Sequence, residues 1–187
     1  MPKIRMLLAY DGTSFRGWAT QRGPSLRTVQ GELTAHLERV LLAPVKLVVA
    51  GRTDAGVHAL GQVMSFSTAS SVTPGQLQRA LNSAMSPEVV VHQASYAPET
   101  FDARFSATAR EYRYAVRTAQ VADVFTGRFE WHRPKALAIG PMRRAAQSLL
   151  GEHDFATFCR HPGTGKSTVR DLQRLTIARH GDVVVPG

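Results

Sequence analysis

The chain has 187 residues, 43% of them hydrophobic, enough to bury a core in one domain or in two small ones. Its 23 basic residues outnumber 14 acidic ones, and the net charge of +9 points to a polyanionic partner, because each cation set against a phosphate releases counterions. A lone cysteine, Cys159, argues against a disulfide framework or thiolate metal cluster, and no apolar run matches a membrane span or a secretory signal, so a cytoplasmic protein is expected.

Ile4 to Tyr10 reads as a strand that ends at the turn residues Asp11-Gly12, followed by Phe15-Arg16-Gly17-Trp18 and a loop containing Gly23-Pro24. Thr28 is placed to cap a helix whose inner face carries Val29, Leu33, Leu37 and Val40 or Leu41, and Pro44 stops it. The run Val45 to Ala50 reads as a buried strand, and Gln62 to Ser67 as another. Thr73-Pro74-Gly75-Gln76 has the form of a capping box with proline at the first helical position, opening a helix with Leu77, Leu81 and Met85 inward. Glu88 to Ala94 completes a β-α-β-β-α-β order, which predicts an α+β domain with both helices on one face of a sheet.

A second unit is expected from about Thr108, giving domains 1–107 and 108–187. Arg110 to Arg117 alternates in the manner of a half-buried strand, with Tyr112 and Tyr114 on the same side. Pro141 is predicted to start a helix facing inward through Met142, Ala145, Ala146 and Leu149 or Leu150, and Gly151 to end it. Leu172 to Ala178 and Asp182 to Val185 read as a hairpin turning at His180-Gly181, so the second half echoes the first without completing it.

The stretch Ala50 to Ala59, AGRTDAGVHA, carries the most chemistry. Arg52 and Asp54 stand two residues apart in a glycine-bounded turn after an apolar run, so the carboxylate projects from a rigid edge with a guanidinium nearby to keep it ionised. The plain alternative is an Arg–Asp pair bracing a turn. Arg110-Glu111-Tyr112-Arg113-Tyr114 interleaves cations with rings, which suits unpaired RNA bases, or else a sheet face with solvated arginines; Arg104 adds a cation beside it. The bias towards arginine, with only Lys3, Lys46, Lys135 and Lys166 as lysines, leans the same way. Gly163 to Thr168 invites a phosphate-loop reading, but that motif needs a glycine where Arg160 stands, and a flexible basic loop fits better. Seven histidines lack metal-ligand spacing; His58 is read as structural rather than as a base, and His153-Asp154 as a structural hydrogen-bonding pair. That leaves Asp54 as a lone carboxylate suited to nucleophilic attack.

Tyr10-Asp11-Gly12 with Phe15, Gly17 and Trp18, then Val29-Gln30, the decapeptide Ala50 to Ala59 and Gly61-Gln62-Val63 resemble the tRNA pseudouridine synthase A (TruA) family. Phe101 to Ala107 with Arg110, Tyr112 and Tyr114, and Leu150-Gly151 with His153-Asp154-Phe155 and Phe158, extend the resemblance over nearly the whole chain. The resemblance implies a pseudouridine-synthase fold of two similar α/β units with antiparallel or mixed sheets. It implies isomerisation of uridine at positions 38 to 40 of the tRNA anticodon stem-loop, by a homodimer without metal or cofactor. Asp54 falls on the catalytic aspartate, Arg52 on the arginine that displaces the target base and Tyr112 on the tyrosine that packs against uracil; Arg104 joins the substrate-binding set. The family's pattern continues past the final hairpin with a Val-Arg element that pairs with the aspartate, so the second unit is expected to be incomplete. A reading from another class stays open beside this one: an RNA-binding module of the same fold, without turnover.

Overall fold

A computed structural model describes residues 1–20, 26–159 and 167–187; the expected Gly23-Pro24 loop and the Gly163–Lys166 stretch lie outside them. The structure is a mixed α/β protein with several sheets and three α-helices among the described residues, and it divides into two compact units, Met1–Arg110 and Glu111–Gly187.

In the first unit β1 (Lys3–Tyr10) lies between β3 (Ala59–Ser67) and β4 (Val89–Ala97), antiparallel to both, with the two-residue β2 (Val48–Val49) on the outer edge of β3. Ile4, Met6, Leu8 and Tyr10 alternate onto the buried face of β1. They join one core with the inner stripes of α1 (Val29–Leu41) and α2 (Pro74–Met85), so both helices cover one side of the sheet. The caps form as expected: Thr28 accepts from the Gly31 amide, and Thr73 and Gln76 make the reciprocal box behind Pro74. The run Val45 to Ala50 is not the buried strand its composition predicts. Only Val48–Val49 pairs, and the run is at most half-buried, because the strand borders the sheet on one side alone.

In the second unit β5 (Val116–Arg117) pairs in parallel with β6 (Trp131–His132) and antiparallel with β10 (Val183–Pro186), which also pairs with β9 (Ile177–His180). The final hairpin turns through Gly181 at φ +58. A separate two-stranded ladder joins β7 (Gly151–Asp154) to β8 (Val169–Leu172), so the expected Leu172–Ala178 strand is divided between two sheets. Helix α3 (Ile139–Gln147) begins two residues before Pro141 and buries Ala146, while Ala145, expected inward, is exposed. Its core holds Val116, Ala146, Ile177 and Val184, with Leu137, Ile139, Met142 and Leu175 partly buried against them.

The long strand expected from Arg110 to Arg117 is reduced to its last two residues. The reason is chemical. Tyr114 N–H donates to the Pro186 carbonyl at 3.1 Å, but proline has no amide hydrogen to return, so the exchanged pair that would extend the ladder cannot form. Tyr112 and Tyr114 are exposed, at 58% and 69%. Arg117 anchors the retained part through Glu130, whose carboxylate and that of Asp123 hold the guanidinium pKa above its ordinary value.

Candidate active site

The loop from Gly51 to His58 leaves the edge of the sheet and lies against the loop that follows β1. Two backbone hydrogen bonds join the two, Trp18 N to Thr53 O at 3.0 Å and Gly56 N to Phe15 O at 3.2 Å, and a third, Val57 N to Asp54 O at 3.2 Å, closes the second loop on itself. Such contact needs residues without side chains. A Cβ on Gly12 would sit 2.1 Å from the Val57 carbonyl oxygen, and one on Gly17 would sit 2.7 Å from that of Thr53 at a φ of +90. The opening motif therefore serves as a platform for the Asp54 loop.

A buried polar chain secures the loop from beneath. The Tyr10 hydroxyl lies 2.9 Å from Thr53 Oγ1, and Gln62 Nε2 donates to the Gly51 carbonyl at 2.7 Å and to the Tyr10 hydroxyl at 3.4 Å. Tyr10 and Gln62 are buried, and the Tyr10 ring packs against the buried Trp18. Gly51 and Thr53 are thus held inward while the alternate residues, Arg52 and Asp54, are exposed. Among the described residues neither side chain has a hydrogen-bond or ion-pair partner, so the plain alternative of an Arg52–Asp54 pair bracing the turn is not formed. Both groups are presented outward instead of being spent on each other. Removing the Tyr10 hydroxyl by Tyr10→Phe should cost about 1 kcal/mol in chemical denaturation and lower turnover on tRNA more than affinity for it. Unchanged turnover with normal stability would show that the loop does not depend on this chain.

His58 takes the structural role: Gly12 N donates to its Nδ1 at 3.0 Å. Asp11 Oδ1, 3.1 Å from the same nitrogen, receives its protons from Thr13, through N at 3.0 Å and Oγ1 at 2.6 Å. Arg27, which no sequence signal singled out, braces the platform. Its guanidinium lies 4.5 Å from the Phe15 ring centre and forms a two-point pair with Glu88 at 2.9 and 2.8 Å, which holds the Glu88 carboxyl below the usual carboxylate range. An open depression of about 470 Å³, lined by Thr13, Ser14, Phe15, Arg16, Ala55 and Gly56, adjoins the Asp54 loop.

Arg104 lies on the turn after Phe101, where Asp102 Oδ1 accepts from the amides of Arg104 and Phe105 at 2.8 and 3.0 Å. The buried Ala103 donates its amide to Ser65 Oγ on β3 at 3.2 Å, so the turn is fastened to the same sheet as the Asp54 loop and Arg104 is left exposed. Arg110 does not point to solvent as a free cation: it binds main-chain carbonyls of both segments. Arg52, Asp54 and Arg104 thus share the first unit, and Tyr112 lies in the second. His153 and Asp154 do not bond each other: His153 Nε2 meets the Leu150 carbonyl, and Asp154 receives Ala156 N and the Thr168 hydroxyl. Among the described residues no group of three or more metal-ligating side chains occurs, and no helix is long and apolar enough to cross a membrane.

A family model described as tRNA pseudouridine synthase matches residues 6–106 and 145–185. The first segment contains the platform, the Asp54 loop and the Arg104 turn; Arg110 and Tyr112 fall between the two segments. Among curated relatives, the tRNA pseudouridine synthase A of Geobacillus sp. (strain WCH70) is 42% identical over 183 residues, covering 97% of this chain and 73% of its own length. That of Moorella thermoacetica is 38% identical over 192 residues, covering 100% of this chain and 78% of its own length. The enzyme of that name from Frankia casuarinae is 46% identical over 187 residues, covering 98% and 66% respectively. With the match running through the platform glycines, the loop they support and the final hairpin, this chain belongs to the tRNA pseudouridine synthase family.

Proposed function

We propose that the protein isomerises uridine to pseudouridine in tRNA, with Asp54 as the reactive carboxylate. The net reaction breaks the bond from ribose C1′ to uracil N1, makes one from C1′ to C5, and moves a hydrogen from C5 to solvent while N1 gains one. No redox equivalent is consumed, so the work falls to an anionic group, a base lifted out of its stack and a surface that retains the detached ring. The observation that carries this reading is the presentation of Asp54: exposed, without a side-chain partner among the described residues, on a loop fixed by the buried Tyr10 and Gln62 through Thr53 and Gly51. In this reading Arg52 takes the place of the displaced base, Arg104 binds nearby phosphate, and Tyr112 packs on the uracil. Residues 1–107 form the domain with the reactive loop and 108–187 the second of two similar domains. The anticodon stem-loop, at positions 38 to 40, is the proposed target, and the protein acts in the cytoplasm as a homodimer.

Incubating the protein with unmodified tRNA transcript and mapping pseudouridine at single-nucleotide resolution tests both the activity and the position. Product at positions 38 to 40 is expected. Tight tRNA binding with no product would instead make this an RNA-binding module. Tyr112→Ala should lower turnover by roughly 10–100-fold, the equivalent of a stacked base worth about 1–3 kcal/mol, while tRNA affinity changes little because many arginines share the phosphate contacts. Equal loss of affinity for tRNA and for an unrelated folded RNA would remove the tyrosine from its role.

A further inference from the structure

Arg110 closes the first unit and, on sequence alone, counts among the cations available to phosphate. Its guanidinium is directed elsewhere. Nε and Nη2 donate to the Ala50 carbonyl at 2.8 and 2.6 Å, and Nη2 also reaches the Arg104 carbonyl at 3.3 Å.

The two carbonyls hold strategic places. Just past the end of β2 the Ala50 amide donates to Val63 O at 2.9 Å, after which the chain leaves the sheet edge towards Asp54. Its carbonyl is the last group before the Gly51–Asp54 segment departs from the sheet. The Arg104 carbonyl belongs to the other exposed functional segment, whose turn is closed by Asp102 and fastened to β3 through Ala103. We propose that Arg110 is a positioning residue that sets the Asp54 loop and the Arg104 turn in register through one guanidinium. The proposal rests on the reading of Asp54 as the reactive carboxylate.

Only arginine suits this geometry. A planar fork meets two oxygens from fixed directions, whereas a lysine ammonium is a compact point charge on a flexible stem. The bonds lie at the surface, where water can replace them, so their loss should scarcely affect global stability. Their effect is on placement. A displacement of about 1 Å in a reacting group costs on the order of 100-fold in rate.

The test compares Arg110→Lys and Arg110→Ala with the unaltered full chain in three measurements: steady-state kinetics on tRNA, salt dependence of tRNA binding, and amide hydrogen exchange by segment. Both variants are expected to keep the thermal midpoint, KM and salt slope, and to lose turnover by roughly 10–100-fold. Exchange should quicken together in residues 51–57 and 104–106 while β1 and α2 keep their protection. Arg110→Lys should not restore turnover to normal, since it keeps the charge but not the fork. A rise in KM and a salt slope reduced by about one in Arg110→Ala, both restored by Arg110→Lys, would make Arg110 a phosphate contact and overturn the proposal. Unchanged exchange in both segments would overturn it as well. Should the unaltered protein bind tRNA without turnover, the enzymatic reading fails on its own account, and the exchange measurement still decides whether Arg110 couples the two segments.

Discussion

Asp54→Asn is expected to lower pseudouridine formation by at least about 1,000-fold while leaving tRNA affinity within roughly threefold. The amide is nearly isosteric with the carboxylate, and Asp54 makes no hydrogen bond or ion pair with another described side chain that the change could break. Its main-chain carbonyl, which accepts from Val57 N, is untouched. The loop should therefore keep its shape, and the loss should fall on chemistry: a neutral amide cannot attack or stabilise positive charge as an anion does. Release of tritium from 5-tritiated uridine in tRNA measures turnover directly, because the isomerisation frees the hydrogen on C5. Turnover by the Asn variant within tenfold of the unaltered protein would take Asp54 out of its assigned role. Loss of affinity in parallel with turnover would point to a misplaced loop.

The second large effect is expected from a single methyl group. Gly12→Ala would put a Cβ 2.1 Å from the carbonyl oxygen of Val57 and 2.5 Å from its carbonyl carbon. Both atoms are main chain, so no rotamer change relieves the clash, and either the end of β1 or the Asp54 loop must move. Such overpacking should destabilise the protein by about 3 kcal/mol or more, lowering the midpoint of thermal unfolding by roughly 10 °C. Two further glycines grade the effect. Gly17→Ala combines a positive φ with a 2.7 Å approach to Thr53 O and should be nearly as damaging. Gly56→Ala has the same kind of φ, +78, but open space around it, and should cost only about 1 kcal/mol. If all three variants melt alike, the close approach of the two loops is not what these glycines serve.

The first unit was legible from sequence because its signals are local. A capping box, an N-cap threonine and two apolar stripes at helical spacing fix α1 and α2 with little help from the rest of the chain. Period-two patterning fixes β1 in the same way. Sequence and structure part where the outcome depends on a partner distant along the chain. Val45 to Ala50 has the composition of an inner strand, but its place at the sheet edge is a matter of topology that composition does not encode. Tyr112 and Tyr114 alternate as a strand should, yet the pairing stops because a proline seventy residues downstream offers no amide hydrogen. Within the candidate site, residue type alone singles out Asp54 and Arg52 as candidates, whereas the absence of a pair between them is not encoded there. It follows from Tyr10 and Gln62 gripping the intervening backbone, a set of contacts up to fifty-two residues apart in sequence. Arg110 shows the converse: its charge suggested RNA, and its geometry assigns it to the main chain.

The uneven sizes of the two cores bear on how the protein comes apart. The first unit unites a full sheet face and two helices in one buried cluster, while the second relies on Val116, Ala146, Ile177 and Val184 among its described residues. Buried apolar surface is the main term opposing chain entropy, so the first unit is expected to be the more stable of the two. The second unit is expected to open more often than the first, which amide hydrogen exchange followed segment by segment would measure. Protease nicks should accordingly accumulate after Glu111 before they reach the platform glycines, leaving an intermediate in which the Asp54 loop is intact and Tyr112 is lost.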